Sequence, residues 1–310
     1  MIGVEIKERL GNQLFRYAYA RKLMIDRGNT DNLVLGVSSF KGLDPEDGWR
    51  NGLVDFRTIQ FETSEKKLVY SRGTILQKWL LRSYYADIKL IRRPSDLTRK
   101  FAIQNKWNLL LQKYGLTVSY DNSFEPVFPA NKDIYLEGSF ENPKYFDSIR
   151  TTLLEELTPK QSPKPENRAS YDAAEKSDSI CVSVRRGDFL SPKFRQTHNV
   201  CTLDYYHKAI EEMKSRLENP VIIYFSDDID WVKTNLATES DLCESGNDPT
   251  WEKLRMMYSC KHFILSNSTF AWWAQYLCRN KDKIVIAPER WFNDNRPQNL
   301  LLDSFIKIHV

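Results

Sequence analysis

Ile180-Cys181-Val182-Ser183-Val184-Arg185-Arg186-Gly187-Asp188-Phe189 is the stretch on which the reading of this chain turns. Its first five residues are compact and mostly β-branched or apolar, as a buried strand requires, and they run directly into two arginines, a glycine and an aspartate. Toward the C-terminus, short apolar runs recur at 221–225, 263–265 and 284–286. Between them, 204–217, 228–236 and 251–260 carry helical spacing. Strands alternating with helices predict an α/β fold, a doubly wound parallel sheet with helices on its faces. Ligands of such sheets bind outside the carboxyl ends of the strands, so the residues just after each strand are where function is expected.

Toward the N-terminus, residues 158–179 are rich in Pro, Lys, Ser, Glu and Asn, which predicts a linker or a long exposed connection. This divides the chain into 1–157, a linker over 158–179, and 180–310. The first part opens with a strand over 3–7, a turn at Leu10-Gly11-Asn12 and a helix in which Phe15, Tyr19 and Leu23 share one buried face.

Composition narrows the function. At 310 residues and 41% hydrophobic, the chain has material for one large core or two ordinary ones. A net charge of only +4 does not mark a nucleic-acid binder. That charge is uneven, because Lys66 to Lys100 holds ten Lys or Arg against two acids, Asp87 and Asp96. Trp79, Leu80, Leu81, Tyr84 and Tyr85 sit among them, so the segment reads either as a solvated helical face or as a contact with anionic lipid, worth about 1 kcal/mol per nearby basic residue. Five scattered cysteines without a C-x-x-C, and four histidines without ligand spacing, predict reduced thiols and no metal cluster. The start carries no leader pattern, and no apolar run reaches the roughly 18 residues of a spanning helix. The expectation is a cytoplasmic protein, with peripheral contact at the inner face of the membrane through Lys66–Lys100.

Three blocks carry chemistry. Arg185 and Arg186 at a strand end suit phosphate oxygens, since the guanidinium fork binds them bidentately and keeps its charge; the plainer reading is a loop ion pair between Arg186 and Asp188. Ser266-Asn267-Ser268-Thr269-Phe270-Ala271-Trp272-Trp273 places hydroxyls and backbone N–H groups at a helix start, an anion site unless Ser268 is simply an N-cap. Trp272 and Trp273 read as core. In Phe225-Ser226-Asp227-Asp228-Ile229-Asp230-Trp231, Asp228 and Asp230 form an acid-x-acid pair that either caps a helix or holds a divalent metal. Walker A, H-E-x-x-H, G-x-S-x-G and G-x-G-x-x-G patterns are absent from the sequence, which sets aside the common kinases, metalloproteases, hydrolases and nicotinamide enzymes.

Together with Glu8-Arg9-Leu10-Gly11-Asn12-Gln13-Leu14-Phe15-Arg16-Tyr17-Ala18 near the start, these blocks, taken in their order along the chain, resemble glycosyltransferase family 11, the α-1,2-fucosyltransferases, in its bacterial form. Ile286-Ala287-Pro288 with Trp291-Phe292 resembles the family's closing segment. The resemblance implies two Rossmann-like domains (GT-B-like), an acceptor-side domain over 1–157 and a GDP-sugar-binding domain over 180–310. It implies inverting transfer of L-fucose from GDP-β-L-fucose to the 2-hydroxyl of a galactose, without a metal or other cofactor. By motif position, Arg185 would hold the β-phosphate with Arg186 in support. Ser266, Asn267, Ser268, Thr269 and Phe270 would line the donor site, with Asp227 and Asp228 as weaker candidates. Gly11 and Asn12 would form a tight turn facing the donor. The chain departs from many relatives at Ser183, where they carry His, at Lys253 (or Glu252), where they carry an acid suited to guanine, and at Glu8-Arg9, where they carry Gly-Gly. Asp188 and Glu8 are the candidates for the general base. Two other readings stand beside this one: a metal-dependent sugar transferase using Asp228 and Asp230, and a non-catalytic carbohydrate- or membrane-binding protein.

Overall fold

The computed structural model describes residues 1–91, 97–120 and 122–310; Arg92, Arg93 and Asp96 of the basic stretch lie outside the described residues. The chain parts into two compact units. One comprises Met1–Val54, Thr58–Leu153 and Arg296–Asn299; the other comprises Asp55–Arg57, Leu154–Asn295 and Leu300–Val310.

The first unit runs β1 (Ile2–Glu5), α1 (Leu10–Asp26), β2 (Leu33–Gly36), β3 (Phe61–Ser64), α2 (Leu68–Arg72), α3 (Ile75–Lys89), α4 (Leu97–Leu111), β4 (Leu116–Ser119) and β5 (Ile134–Gly138). Its sheet has the order β3-β2-β1-β5-β4, with every pairing parallel. All residues of β1, β2, β4 and β5 are buried, as expected of parallel strands covered on both faces. On α1, Phe15 and Tyr19 are buried as their spacing predicts, while Leu23, a turn further on, is only half-buried. The expected turn at Leu10-Gly11-Asn12 is displaced. Those residues form the first turn of α1, and the chain bends at Glu8, whose φ is 63°, with Arg9 as N-cap. Burial of Leu10 and Leu14 draws the helix start back toward the strand.

Within the basic segment, α3 is a helix of two faces. Thr74 and Gln77 form a reciprocal capping box at the start of α3. Leu80, Leu81 and Tyr84 pack inward, while Ile75, Trp79 and Leu90 stand 88%, 61% and 77% exposed. Lys67 is already committed. Its Nζ donates to Tyr85 Oη at 2.8 Å and pairs with Glu137 at 2.8 Å.

α5 (Arg150–Glu156) spans the boundary between the units. The second unit continues with α6 (Arg168–Lys176), β6 (Ser179–Val184), α7 (Arg195–His198), α8 (Leu203–Lys214), β7 (Val221–Ser226), α9 (Ile229–Asn235), β8 (Leu242–Cys243), α10 (Thr250–Ser259), β9 (His262–Ile264), α11 (Thr269–Leu277), β10 (Val285–Pro288) and β11 (Ile306–Ile308). The six strands, again all parallel, lie in the order β11-β10-β9-β6-β7-β8. Ile180, Val182 and Val184 meet Tyr205, Tyr206, Ala209 and Met213 of α8 in the core, where each large side chain contributes about 1.5–3 kcal/mol. Trp272 and Trp273 are wholly buried, and Trp272 stacks on Tyr276 at 5.0 Å, so these rings are core.

The segment 158–179 is not the free linker its composition suggests. It carries α6, and polar groups tie it down. Glu252 accepts hydrogen bonds from Lys164 N at 2.8 Å and Asn167 Nδ2 at 3.2 Å, while Arg255 donates to the carbonyls of Pro159 and Gln161. The pinning partners lie some 85–95 residues away in the chain, so local composition does not reveal them.

Candidate functional site

In the second sheet β6 and β9 are neighbours, and the chain order reverses between them: β6, β7 and β8 run outward on one side, and β9, β10 and β11 on the other. A parallel α/β sheet opens its binding crevice at such a switch point. Arg185 follows β6 and Ser266 lies just past β9, so the two blocks singled out by their residue types flank that point.

The arginines are held from a third strand. The register that sets Val184 opposite Ser226 brings the residue after each into contact. Asp227 pairs through Oδ2 with Arg185 Nη1 at 2.9 Å and accepts Arg186 N on Oδ1 at 2.9 Å. Asp188 takes Arg185 Nη2 at 2.6 Å. Arg186 donates from Nε to Asp228 at 3.0 Å and lies over the Trp231 ring, 3.8 Å from its centroid. The loop pair expected between Arg186 and Asp188 is therefore replaced: Asp188 serves Arg185, and Arg186 turns to Asp228. Gly187 is required here, because a Cβ would stand 2.4 Å from Asp227 Oδ2.

Asp228 also caps α9, accepting Trp231 N at 3.3 Å, as its position predicts. Asp230 is 93% exposed beside Lys233. The acid-x-acid pair is thus engaged in two separate contacts, and among the described residues no group of three potential metal ligands occurs.

Past β9, Ser266 and Asn267 face inward. Ser266 Oγ lies 3.3 Å from Ser183 Oγ, and Asn267 Nδ2 donates to the carbonyls of His198 and Trp291, both at 2.9 Å. Their side chains are buried and brace the strand ends. Ser268, Thr269 and Phe270 are half-buried at the start of α11. Ser268 occupies the N-cap position, yet its hydroxyl makes no capping bond, so the first-turn amides are not taken by that side chain.

The positions suspected of reading guanine are spent elsewhere. Glu252 anchors the 158–179 segment as described, and Lys253 pairs at 2.9 Å with the buried Glu244, whose Oε1 accepts Ser226 N at 2.7 Å. Burial pushes the Glu244 carboxyl up against the pull of Lys253.

In the first unit the switch point lies between β1 and β5, and Glu8 and Glu141 follow those strands. Asn12 Nδ2 donates to both carboxylates, to Glu8 Oε2 at 3.0 Å and Glu141 Oε1 at 3.2 Å. Arg16, 1% exposed, reaches Glu8 Oε2 at 2.8 Å, Lys7 O at 2.9 Å and Gly138 O at 2.7 Å, tying the ends of both strands to α1. Burial works to raise the Glu8 carboxyl, but the Arg16 charge and the bonds from Arg16 and Asn12 outweigh it and hold it below the usual range. Burial also pushes Glu141 up, and the Glu8 carboxylate adds to the effect against Arg16 and Arg296, leaving it at about 7.

Profile comparison decides the family, since Glycosyl transferase family 11 matches residues 1–307. The chain belongs to glycosyltransferase family 11. This family 11 enzyme is 26% identical over 309 residues to the O-antigen biosynthesis glycosyltransferase WbnK of Escherichia coli, covering 96% of this chain and 97% of that one. It is 27% identical over 294 residues to an Escherichia coli alpha-1,2-colitosyltransferase, covering 91% and 89%. A 113-residue stretch is 31% identical to human galactoside alpha-(1,2)-fucosyltransferase 1, covering 35% and 31%.

The contacts of two acids at these strand ends were not legible in the sequence. Asp227 as a holder of Arg185 carried the signal of a conspicuous acid after a strand, which reads equally as a cap. Glu141 carried no motif signal at all.

Proposed function

We propose that this enzyme transfers L-fucose from GDP-β-L-fucose to the 2-hydroxyl of a galactose in a surface glycan, inverting C1 and needing no metal. The observation that carries the proposal is the fixed Arg185–Arg186 pair at the switch point of the second sheet, beside the start of α11. Arg185 meets the β-phosphate and Arg186 supports it, while Ser268, Thr269 and the first-turn amides of α11 supply further donors. Counting the pair with its three partners Asp188, Asp227 and Asp228 gives two positive charges against three negative. Affinity for diphosphate then rests on aimed N–H donors and the helix start, rather than on net charge. Asn12 supports the acceptor side by binding Glu8 and Glu141, and Gly11 beside it lies in the first turn of α1.

A second donor has specific support in the colitosyltransferase relative. Colitose is L-fucose without its 3-hydroxyl. A site that hydrogen-bonds that hydroxyl rejects the deoxy sugar by about 10⁴-fold or more, whereas an apolar surface there takes either. The test is a mass-spectrometric transfer assay with GDP-fucose, GDP-colitose and other GDP-sugars against a galactoside panel, with linkage analysis of the product. Fucose on the 2-hydroxyl is the expected result; exclusive use of another sugar would reject the donor, and a requirement for added metal the metal-free reading.

The proposal extends to work in the cytoplasm, with α3 as the surface that meets anionic lipid. Among the described residues no helix is long and apolar enough to cross a membrane. Ile75 and Trp79, with Leu90 at the C-cap, stand outward on α3 beside Arg82 and Lys89, so apolar side chains and basic heads are interleaved as interfacial helices require. The enzyme is expected to sediment with phosphatidylglycerol vesicles at low salt and to lose much of that binding on Trp79→Ser. Equal recovery with phosphatidylcholine vesicles, or none with either, would refute the contact.

A further inference from the structure

Building on the transferase reading above, we infer that Glu141 is the general base, taking the proton of the acceptor hydroxyl, with Glu8 as the neighbouring carboxylate that tunes it. The placement comes first. Glu8 and Glu141 leave adjacent strands, β1 and β5, on either side of the point where the chain order of the first sheet reverses. That is where a parallel α/β sheet receives its ligand.

The two carboxylates differ in what surrounds them. Glu8 is bound by a buried guanidinium, Arg16, and by Asn12, so it stays ionised and is a poor proton acceptor although its side chain is 52% exposed. Asp188, the other candidate, is engaged by Arg185. Among the described residues the Glu141 side chain accepts only the second N–H of Asn12, on Oε1, and it is half-buried. Its backbone is firmly set. Phe140 before it has φ 54°, and Asn122 Oδ1 accepts Glu141 N at 2.9 Å and Ser139 Oγ at 3.0 Å. The charged groups facing it are Glu8 on one side and Arg16 and Arg296 on the other, and their balance with burial leaves an affinity for protons near neutrality, where a base is most effective.

The step balances with the acceptor and donor alone. The acceptor hydroxyl proton passes to a Glu141 carboxylate oxygen as its oxygen bonds to C1 of the sugar. The C1–O bond to the β-phosphate breaks with its electron pair leaving on GDP, and Glu141 afterwards returns the proton to water.

Because the ionised form is the active one, kcat/KM should rise as pH climbs through about 7 and then level off. Glu141→Gln keeps the size and the acceptor oxygen for Asn12, and is expected to lower kcat by about 10²–10⁴-fold with the GDP-induced rise in Tm unchanged and the acid limb gone. Glu141→Asp should retain that limb at a reduced rate. Glu8→Gln removes a like charge and should shift the limb to lower pH, an effect that a purely structural role would not produce. Wild-type kcat in Glu141→Gln, or persistence of its acid limb, would overturn the assignment while leaving the transferase reading intact. A wild-type enzyme inactive with every GDP-sugar would sink both.

Discussion

Replacing Arg185 with alanine is expected to reduce turnover by about 10³-fold, the scale on which removal of a cation or oxyanion donor acts in group transfer. As the bond from C1 to the β-phosphate breaks, negative charge grows on the departing diphosphate, and a guanidinium already fixed by Asp188 and Asp227 answers it without reorganising. The effect on stability should be small. Arg185 and its partners are partly exposed, so the ion pairs contribute about 1 kcal/mol or less, and the melting curve should stay close to wild type. Arg185→Lys should fail to restore activity, because a lysine cannot present the two-pronged geometry that Asp188, Asp227 and a phosphate use together. Steady-state kinetics with the GDP-induced change in Tm measure both consequences. Wild-type turnover in the alanine variant would remove Arg185 from the phosphate site.

Arg16→Met should act on the fold. The methionine fills a similar volume, but the Lys7 and Gly138 carbonyls lose a donor and Glu8 loses its cation. Stranded buried acceptors cost about 1–3 kcal/mol each, so a total near 3–5 kcal/mol is expected. For a unit of this size that lowers Tm by roughly 10 °C. Thermal unfolding followed by circular dichroism reads the shift, and an unchanged Tm would mean that the ends of β1 and β5 do not depend on this side chain. The same variant removes a positive charge beside Glu141, so its residual activity should need a higher pH.

Residues 180–189 show how far local pattern reaches. The strand, the placement of Arg185 at its end and the helices that follow were legible because side-chain periodicity and composition are properties of neighbours in sequence. The core role of Trp272 and Trp273 was legible for the same reason, since an all-apolar helix has to be buried. Other assignments shifted. Glu252 and Arg255 tie a proline-rich stretch down by contacts that its composition does not reveal.

By itself the sequence determined the α/β class, the regular second half, the order of the family's blocks and residue types whose chemistry suits a diphosphate. The tertiary structure alone decided that Asp227 holds Arg185, that Asp228 partners Arg186, and that Glu141 stands beside Glu8. The reason is range: helix and strand signals act over a few residues, whereas these contacts join positions some 40 to 130 apart and exist only once strand order and register place β6 against β7 and β1 against β5.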